Sequence, residues 1–177
     1  MYPKEYIQYL VHFHCTRDYF ECHELLEEYW KQTDKNNKRS ILVAFILLSV
    51  SAYHHRRENF SGAWRTLKKA KAIFAEKEKE IPAFGIDSKA LLQLIEKKLK
   101  QIENKKKYES FQLPIADKGL LKKCIEQCNK KGYAWGAESN LSDKQLVHRH
   151  NERDRSGVIR EREEALKLKQ YEKSNRK

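Results

Sequence analysis

The apolar run from Ile41 to Tyr53, with the sequence ILVAFILLSVSAY, constrains the fold more than any other part of the chain. A membrane-spanning helix needs about 20 apolar residues, and this run is clearly shorter. A fully buried strand is usually ~4–8 residues long, so the length favours a helix. A helix that is apolar on every side lies in the middle of a helical bundle. We therefore predict a buried central helix from about Ser40 to Glu58, with its polar C-terminal part at one end of the bundle.

Amphipathic segments before and after this run would cover the central helix. Glycine and proline, which interrupt helices, number only six and three in 177 residues, so helix is favoured throughout. The predicted fold class is all-α, a bundle of about five helices around the buried central helix, followed by a basic helical extension. The other predicted helices are about Pro3–Cys15, Arg17–Gln32 with Thr16 as N-cap, one from Asn59 or Ser61 to about Glu80, and one from Asp87 or Ser88 to about Ile102, with Ile81–Gly85 as a loop.

Two domains are predicted, a helical bundle over residues 1–107 and a linker with a basic helical extension over residues 108–177. Residues 108–116 are predicted to form an extended linker. Asp117 would cap a short helix that ends near Gly132, and Ser142 and Asp143 would open a last helical stretch that breaks near Ser156-Gly157. The final residues, from Tyr171 onwards, are expected to fray, as chain termini do.

The formal charge of +12 is unevenly distributed. Residues 1–60 contain 8 basic and 8 acidic residues, residues 61–108 contain 13 and 6, and residues 109–177 contain 16 and 11. The back half thus supplies a positive field suited to an acidic protein, RNA, DNA or an anionic membrane face. The alternative is that these lysines form the solvated faces of helices.

Aromatic residues interleave with the lysines of the back half. They are Tyr108, Phe111, Tyr133 and Trp135. Aromatic rings can stack on bases while lysines hold phosphates, but the same rings could instead pin the extension to the bundle. The chain has no RRM, KH or zinc-finger signature. The lack of a glycine-rich phosphate loop argues against a nucleotide-dependent enzyme.

The best candidate for a chemical site is the sequence His23-Glu24-Leu25-Leu26-Glu27. On a helix, His23 and Glu27 point the same way and could hold one ion. A catalytic zinc site uses three protein ligands and an open position, so this pair would need His54 or His55 as a third ligand. The second histidine of the zinc protease signature HExxH is missing.

Two other interpretations of this cluster stay open. His23 and Glu27 could form a structural polar network, because buried polar groups need partners. Alternatively, Glu27 could act as a general base beside a histidine without a metal. If the two helices form a hairpin about residues 33–39, His23 and His54 are offset along the helix axis by roughly 7–8 Å. That offset argues against a tight cluster.

The chain has four cysteines, too few and too scattered for a secreted disulfide scaffold. They are Cys15, Cys22, Cys124 and Cys128. We interpret them as free thiols packed as small apolar groups. The pair Cys124 and Cys128 could also bind zinc with His148 and His150, although this spacing fits no common structural zinc pattern.

Three stretches of the chain resemble a bacterial and archaeal family. They are Phe13, Asp18 to Trp30 with an HExxExxW pattern, and Tyr53 to Ala63 with a histidine–arginine–asparagine–glycine–alanine cluster. These stretches look like the domain-of-unknown-function family 309, over about residues 1–74. The resemblance implies a compact all-helical bundle and no particular activity. Glu58 stands where the family often has glycine, and nothing carries over beyond Leu113. The candidate ligand or polar-network residues are His23, Glu24, Glu27, Trp30, His54, His55, Arg57 and Asn59.

The sequence therefore predicts a non-catalytic interaction protein that binds an acidic partner, protein or nucleic acid, through its basic back half. No cofactor is expected on this interpretation. The alternative is a metal-dependent, hydrolase-type enzyme that holds a divalent metal with His23, Glu27 and His54. The N-terminus lacks the basic and apolar segments of a signal peptide, and no segment is long enough to span a membrane. A cytoplasmic location is therefore expected.

Overall fold

The structure is a computed structural model that describes residues 1–152 and 156–174. Within these residues the chain forms helices and turns but no strand, and an isolated antiparallel bridge joins Ile86 to Ile115. The helices are α1 (Lys4–Val11), α2 (Tyr19–Thr33), α3 (Ile41–Arg56), α4 (Phe60–Glu76), α5 (Ser88–Glu103), α6 (Lys118–Lys130), α7 (Lys144–Glu152) and α8 (Ser156–Ser174), with a π-helical turn at His12–Thr16 and a 3-10 helix at Glu78–Phe84. The predicted all-α fold is confirmed.

The central helix α3 is buried along most of its surface, as its apolar sequence predicts. It packs between α2 and α4. The Tyr9 hydroxyl on α1 donates a hydrogen bond to the carbonyl oxygen of Phe45 over 3.0 Å, which joins α1 to α3. One side of α3 is left uncovered by these helices and is only half-buried. It comprises Val43, Leu47, Val50 and His54, which follow each other at helical spacing.

Short polar residues cap the N-termini of the helices, because their side-chain oxygen atoms accept hydrogen bonds from the first free amides. Asp18 accepts from Glu21 N and starts α2. The prediction that Thr16 caps this helix is wrong, because Thr16 ends the π-helical turn and Arg17, at φ 55°, redirects the chain before α2 begins. The other caps are Ser40 for α3, Asn59 for α4, Asp87 for α5 and Asp117 for α6.

Two predicted boundaries differ in the structure between α4 and α5. The helix expected to continue to about Glu80 ends at Glu76. The loop expected at Ile81–Gly85 lies largely within the 3-10 helix. Pro82 and the left-handed Gly85 (φ 71°) prevent a regular α-helix here, because proline lacks an amide donor and the left-handed conformation ends a helix.

Residues 106–146, called the covering segment from here on, pack against the bundle. Tyr108 and Leu113 are buried in the core, Ile115 pairs with Ile86, and α6 packs against α1. The predicted linker is thus non-helical but is held in the core rather than acting as a tether. The chain divides into two compact units between Val147 and His148, whereas the sequence predicts a boundary at residue 107.

The second unit, His148–Lys177, contains α8. Helix α7 crosses the boundary, and His148 within it departs from helical geometry (φ −115°, ψ 20°). Helix α8 begins at Ser156, where the sequence predicts a break, and continues to Ser174, beyond the point where fraying is predicted. Residues 175–177 lie outside the described part of the chain. None of the described helices is both long and apolar enough to cross a membrane.

The prediction that all four cysteines are free thiols is wrong for two of them. Cys15, beyond the end of α1, and Cys128, near the end of α6, form a disulfide bond, because α1 and α6 pack side by side. Cys22 and Cys124 are buried free thiols. The hypothetical zinc site at Cys124 and Cys128 is not assembled, since a disulfide sulfur is not a thiolate ligand. The His150 side chain lies outside the described residues.

Candidate functional site

The HExxE sequence lies on α2, and its three polar side chains converge. His23 Nε2 is 2.7 Å from Glu27 Oε2, and His23 Nδ1 is 3.1 Å from Glu24 Oε1. Residues four apart on a helix lie one above the other, which explains the first contact. The three side chains are 27%, 33% and 31% exposed for His23, Glu24 and Glu27. The cluster is therefore open to solvent at the surface of the bundle.

Polar contacts continue along this cluster. Both ring nitrogens of His23 contact carboxylate oxygens. Lys31 continues the series, with its Nζ 2.7 Å from the second carboxylate oxygen of Glu27. The hydrogen bonds from His23 and Lys31 hold the pKa of Glu27 at about 2, below its usual 4.5. The side chains of this network therefore supply hydrogen-bond partners to one another.

The same side chains offer ligand atoms to a divalent cation. One atom from each of His23, Glu24 and Glu27 lies within 4.8 Å of the others, and no other such group occurs among the residues that the structure describes. His54 and His55 do not belong to this group. The predicted ligand set of His23, Glu27 and His54 is thus not assembled, and the His54 ring instead contacts Asn59 in the turn after α3.

His54 and Asn59 instead help to build the turn between α3 and α4. The amides of Glu58 and Asn59 donate to the carbonyl oxygens of His55 and His54, over 2.9 Å each, which is the double hydrogen bond of a Schellman motif. The Asn59 side chain accepts a hydrogen bond from Gly62 N over 3.0 Å and lies 3.2 Å from His54 Nδ1. A Cβ at Gly62 would lie 2.6 Å from Asn59 Nδ2. Helix capping therefore explains the histidine, asparagine and glycine in the stretch from Tyr53 to Ala63 that resembles a known family.

The remaining candidates lie apart from one another. Trp30 Nε1 donates to a carbonyl oxygen in the link between α2 and α3 over 3.1 Å. The Arg57 guanidinium lies 5.2 Å from the centre of the Tyr53 ring. His55 is buried, with Nε2 2.8 Å from the carbonyl oxygen of Lys106, and burial lowers its pKa. The residues predicted from the sequence thus divide into a charged cluster, a turn and separate structural contacts.

A second polar cluster, absent from the sequence predictions, consists of cationic side chains buried beneath the covering segment. Arg17 is 1% exposed and donates from Nε to the Ala137 carbonyl oxygen over 2.9 Å and from Nη1 to that of Phe111. Arg56 is 6% exposed and donates to Ser139 Oγ and to the Leu146 carbonyl oxygen over 3.0 and 3.3 Å. The described acceptors of both guanidinium groups are neutral oxygen atoms.

Arg56 is also central to the packing of this cluster. Its guanidinium carbon lies 4.8 Å from the centre of the Tyr19 ring, an arrangement that favours a cation. Its Nε is buried and has no hydrogen-bond partner among the residues that the structure describes. From sequence alone, charged residues at the end of a helix are expected to face solvent. No spacing in the sequence distinguishes the buried Arg56 from the neighbouring Arg57.

His14 and Lys98 contact the covering segment in the same region. His14 Nε2 accepts a hydrogen bond from Leu113 N over 2.9 Å, and its Nδ1 is 2.7 Å from the Leu10 carbonyl oxygen. Because an amide can only donate, this ring is neutral with its proton on Nδ1. Burial lowers the pKa of His14 from 6.5 to about 4. Lys98 donates to a backbone carbonyl of the segment, and burial lowers its pKa to about 8.

The interleaved aromatic residues mostly hold the covering segment in place. The Trp135 ring stacks on His14 with centroids 4.4 Å apart. Phe111 and Tyr108 pack against aromatic rings of the bundle. Tyr133 is half exposed, at 50%. The sequence left two interpretations open, stacking on bases and attachment of the extension to the bundle. Three of the four rings have the second arrangement.

A shallow groove on the outer face of α5 carries a concentration of positive charge. The residues that line it are Gln93, Glu96, Lys97, Lys100, Gln101, Asn104 and Lys106. The Glu96 carboxylate is paired with Lys71 on α4. Lys97, Lys100 and Lys106 are exposed, so the groove presents three cations together with amide side chains that can donate hydrogen bonds.

Comparisons with known proteins give one family and one relative. A family model described as "Domain of unknown function (DUF309)" matches residues 6–66. The chain is 46% identical over 166 residues to "Uncharacterized protein YpuF" of Bacillus subtilis (strain 168). The aligned region covers 94% of this chain and 95% of that protein. No solved structure matches the chain.

Proposed function

Since the chain belongs to the domain-of-unknown-function family DUF309, a membership that specifies no reaction, we propose from its geometry that the protein is a non-catalytic interaction protein that binds an acidic partner through its basic surface. The observation that carries the proposal is the groove on α5. Its three exposed lysines have no carboxylate among the lining residues other than Glu96, which Lys71 already neutralises.

The partner that suits this groove best is the phosphate backbone of a nucleic acid. Lys97, Lys100 and Lys106 can each contact a phosphate, and the adjacent amides can donate to phosphate or sugar oxygens. Three of the four candidate rings pack against the bundle and so are not free to stack on bases. Contacts with the nucleic-acid backbone are therefore favoured over contacts with bases. Binding through the backbone depends on salt and little on sequence.

The test is a fluorescence-anisotropy titration of the full chain with single-stranded RNA and with duplex DNA at several salt concentrations. Three phosphate contacts predict that log K falls against log[salt] with a slope of about −2 to −3. The variant Lys97→Gln/Lys100→Gln/Lys106→Gln should remove most of this slope. The matched control is Lys118→Gln/Lys122→Gln/Lys123→Gln on α6, which removes the same charge from exposed positions.

Equal losses in both triple variants would contradict a defined site and indicate only general attraction by a basic protein. Binding of an acidic peptide such as polyglutamate, with no binding of either nucleic acid, would assign the groove to an acidic protein instead. Deletion of residues 109–177 is a poor test, because it removes the carbonyl acceptors of Arg17 and Arg56 and so exposes buried charge.

A second candidate function, a metal-dependent activity of the hydrolase type, is supported by the convergence of His23, Glu24 and Glu27. In metal sites, a carboxylate that accepts from the second ring nitrogen orients a histidine ligand. Glu24 has this position at Nδ1, which leaves His23 Nε2 and Glu27 to contact an ion. The Lys31 ammonium beside Glu27 opposes a second cation, and for this reason we place the metal second.

Isothermal titration calorimetry with Zn²⁺ and Mn²⁺ tests the second candidate directly. Stoichiometric binding that is lost in His23→Ala and retained in Glu28→Gln, at an exposed position on the same helix, would support it. Heats that are equal in wild type and His23→Ala would exclude the cluster as the metal site.

A further inference from the structure

The part of the covering segment that follows α6 is held by the disulfide at its start, by the Trp135 ring stacked on His14 and by single hydrogen bonds. The Cys15–Cys128 disulfide joins the two ends of a loop with a sequence separation of 113 residues. After Cys128, the segment returns across the bundle through contacts of Ala137 with Arg17 and of Ser139 and Leu146 with Arg56. Release of residues 129–146 would therefore remove one backbone acceptor of Arg17 and two acceptors of Arg56.

Both cysteines of this disulfide are buried, but Cys15 lies next to a cavity that is open to solvent. Cys15 lines an open cavity between the π-helical turn and the covering segment, whose other walls include Thr16, Asp18, Ala137 and Asn140. Cys128 is fully buried and does not line the cavity. The cavity therefore gives an incoming thiolate its shorter approach on the side of Cys15, with the sulfur of Cys128 as the leaving group.

The two remaining thiols do not compete for the disulfide. Burial raises the pKa of Cys124, four residues before Cys128 on α6, to about 12. Burial also raises the pKa of Cys22 well above its usual range. The thiolate is the attacking species in thiol–disulfide exchange, so both groups are inert inside the folded protein. A reductant for the disulfide therefore has to come from outside the protein.

We propose that the Cys15–Cys128 disulfide is a reversible redox latch that keeps residues 129–146 closed over Arg17 and Arg56. A small thiol attacks Cys15 as its thiolate, forms a mixed disulfide with Cys15 and releases Cys128 as a thiolate, which takes a proton. A second thiol attacks the mixed disulfide, releases Cys15 and leaves as the oxidised dimer of the small thiol. Two protein thiols and one small-molecule disulfide result, so electrons balance.

Opening the latch turns two buried cations into an exposed cationic surface. Once the constraint on loop closure is lost, water can compete for the hydrogen bonds of Arg17 and Arg56 to neutral oxygens, because a cross-link acts mainly by restricting the open states of the chain. This inference does not depend on the groove on α5 or on the metal cluster.

The test uses the full chain, oxidised with a small disulfide or reduced with a phosphine. Thiol titration in denaturant should give two free thiols in the oxidised protein and four in the reduced protein, as one disulfide and two free cysteines require. Phenylglyoxal, which modifies exposed guanidinium groups, is then applied to both forms, and adducts are mapped by mass spectrometry. Reduction should accelerate modification of Arg17 and Arg56 by about tenfold or more, whereas the exposed Arg65 reacts equally in both forms.

Two variants separate the latch from a general effect of reductant. Cys15→Ser should show the reduced pattern of arginine modification under oxidising conditions, and Cys124→Ser should retain the response to redox state. Four free thiols after oxidation, or equal modification of Arg17 and Arg56 in both forms of the wild type, would overturn the proposal. If Cys15→Ser does not fold, the comparison of oxidised and reduced wild type still decides it.

Discussion

The guanidinium of Arg56 donates a hydrogen bond to the backbone carbonyl oxygen of Arg17 over 2.6 Å, so one buried cation supports the turn that carries the other. Arg17 has a positive φ of 55°, a conformation that costs an ordinary residue about 1 kcal/mol or more. Its guanidinium returns to Phe13 O in the same turn. The two arginines therefore fix both the end of the π-helical turn and the path of the covering segment.

Replacement of Arg56 by methionine should lower the free energy of unfolding by about 2–4 kcal/mol, because it leaves the Arg17 carbonyl, Ser139 and the Leu146 carbonyl without their charged donor. Urea denaturation followed by circular dichroism measures this change. Arg65→Met, at an exposed position on α4, should change stability by less than about 0.5 kcal/mol. Similar values for the two variants would show that the buried hydrogen bonds of Arg56 contribute little.

Replacement of Glu58 by glycine should stabilise the protein by about 0.5–1 kcal/mol, because glycine adopts the left-handed conformation without a steric penalty. Glu58 has a φ of 59° at the end of α3, which explains why glycine suits this position. Thermal denaturation provides the measurement. Glu103→Gly, in the last turn of α5, is the control and should destabilise by a similar amount. A destabilised Glu58→Gly would contradict the account.

The buried His14 should make stability fall between about pH 6.5 and pH 4. Its folded-state pKa of about 4 is lower than its usual 6.5, so the unfolded chain takes up the proton first as the pH falls. The contribution is complete above the unfolded pKa and is lost through this window, by at most about 3 kcal/mol. Denaturation of wild type and His14→Phe across this range should show a shallower pH dependence in the variant. Parallel curves would mean that the imidazole is not held neutral.

The Glu27 carboxylate should contribute stability that is lost between about pH 4.5 and pH 2. Its folded-state pKa of about 2 is lower than its usual 4.5, so the contribution is present above the unfolded pKa and disappears as the carboxylate is protonated. Allowing for solvent screening at this partly exposed site, Glu27→Gln should cost about 1 kcal/mol at pH 6 and nothing near pH 2. Glu28→Gln serves as the control. A difference that does not change with pH would point to packing rather than charge.

The helices and several of their starts follow from local sequence. The length and composition of Ile41–Tyr53 determine a buried helix, since no other regular structure hides so long an apolar run. Asp87 and Asp117 are recognisable caps because a short polar side chain before an amphipathic stretch satisfies free amides. The convergence of His23 and Glu27 likewise follows from the geometry of one helix. These features depend on residues a few positions apart.

Only the tertiary structure decides what the covering segment does and which charges are buried. The disulfide pairs Cys15 with Cys128, and Arg56 meets Leu146, across separations of 113 and 90 residues. Hydrophobic periodicity gives the face of each helix but not which distant segment lies on it. Arg56 and Arg57 have the same chemistry and adjacent positions, and only the return of the chain across the bundle buries the first of them. The sequence thus determines the helices, and the long-range packing determines the cationic cluster and the disulfide beside it.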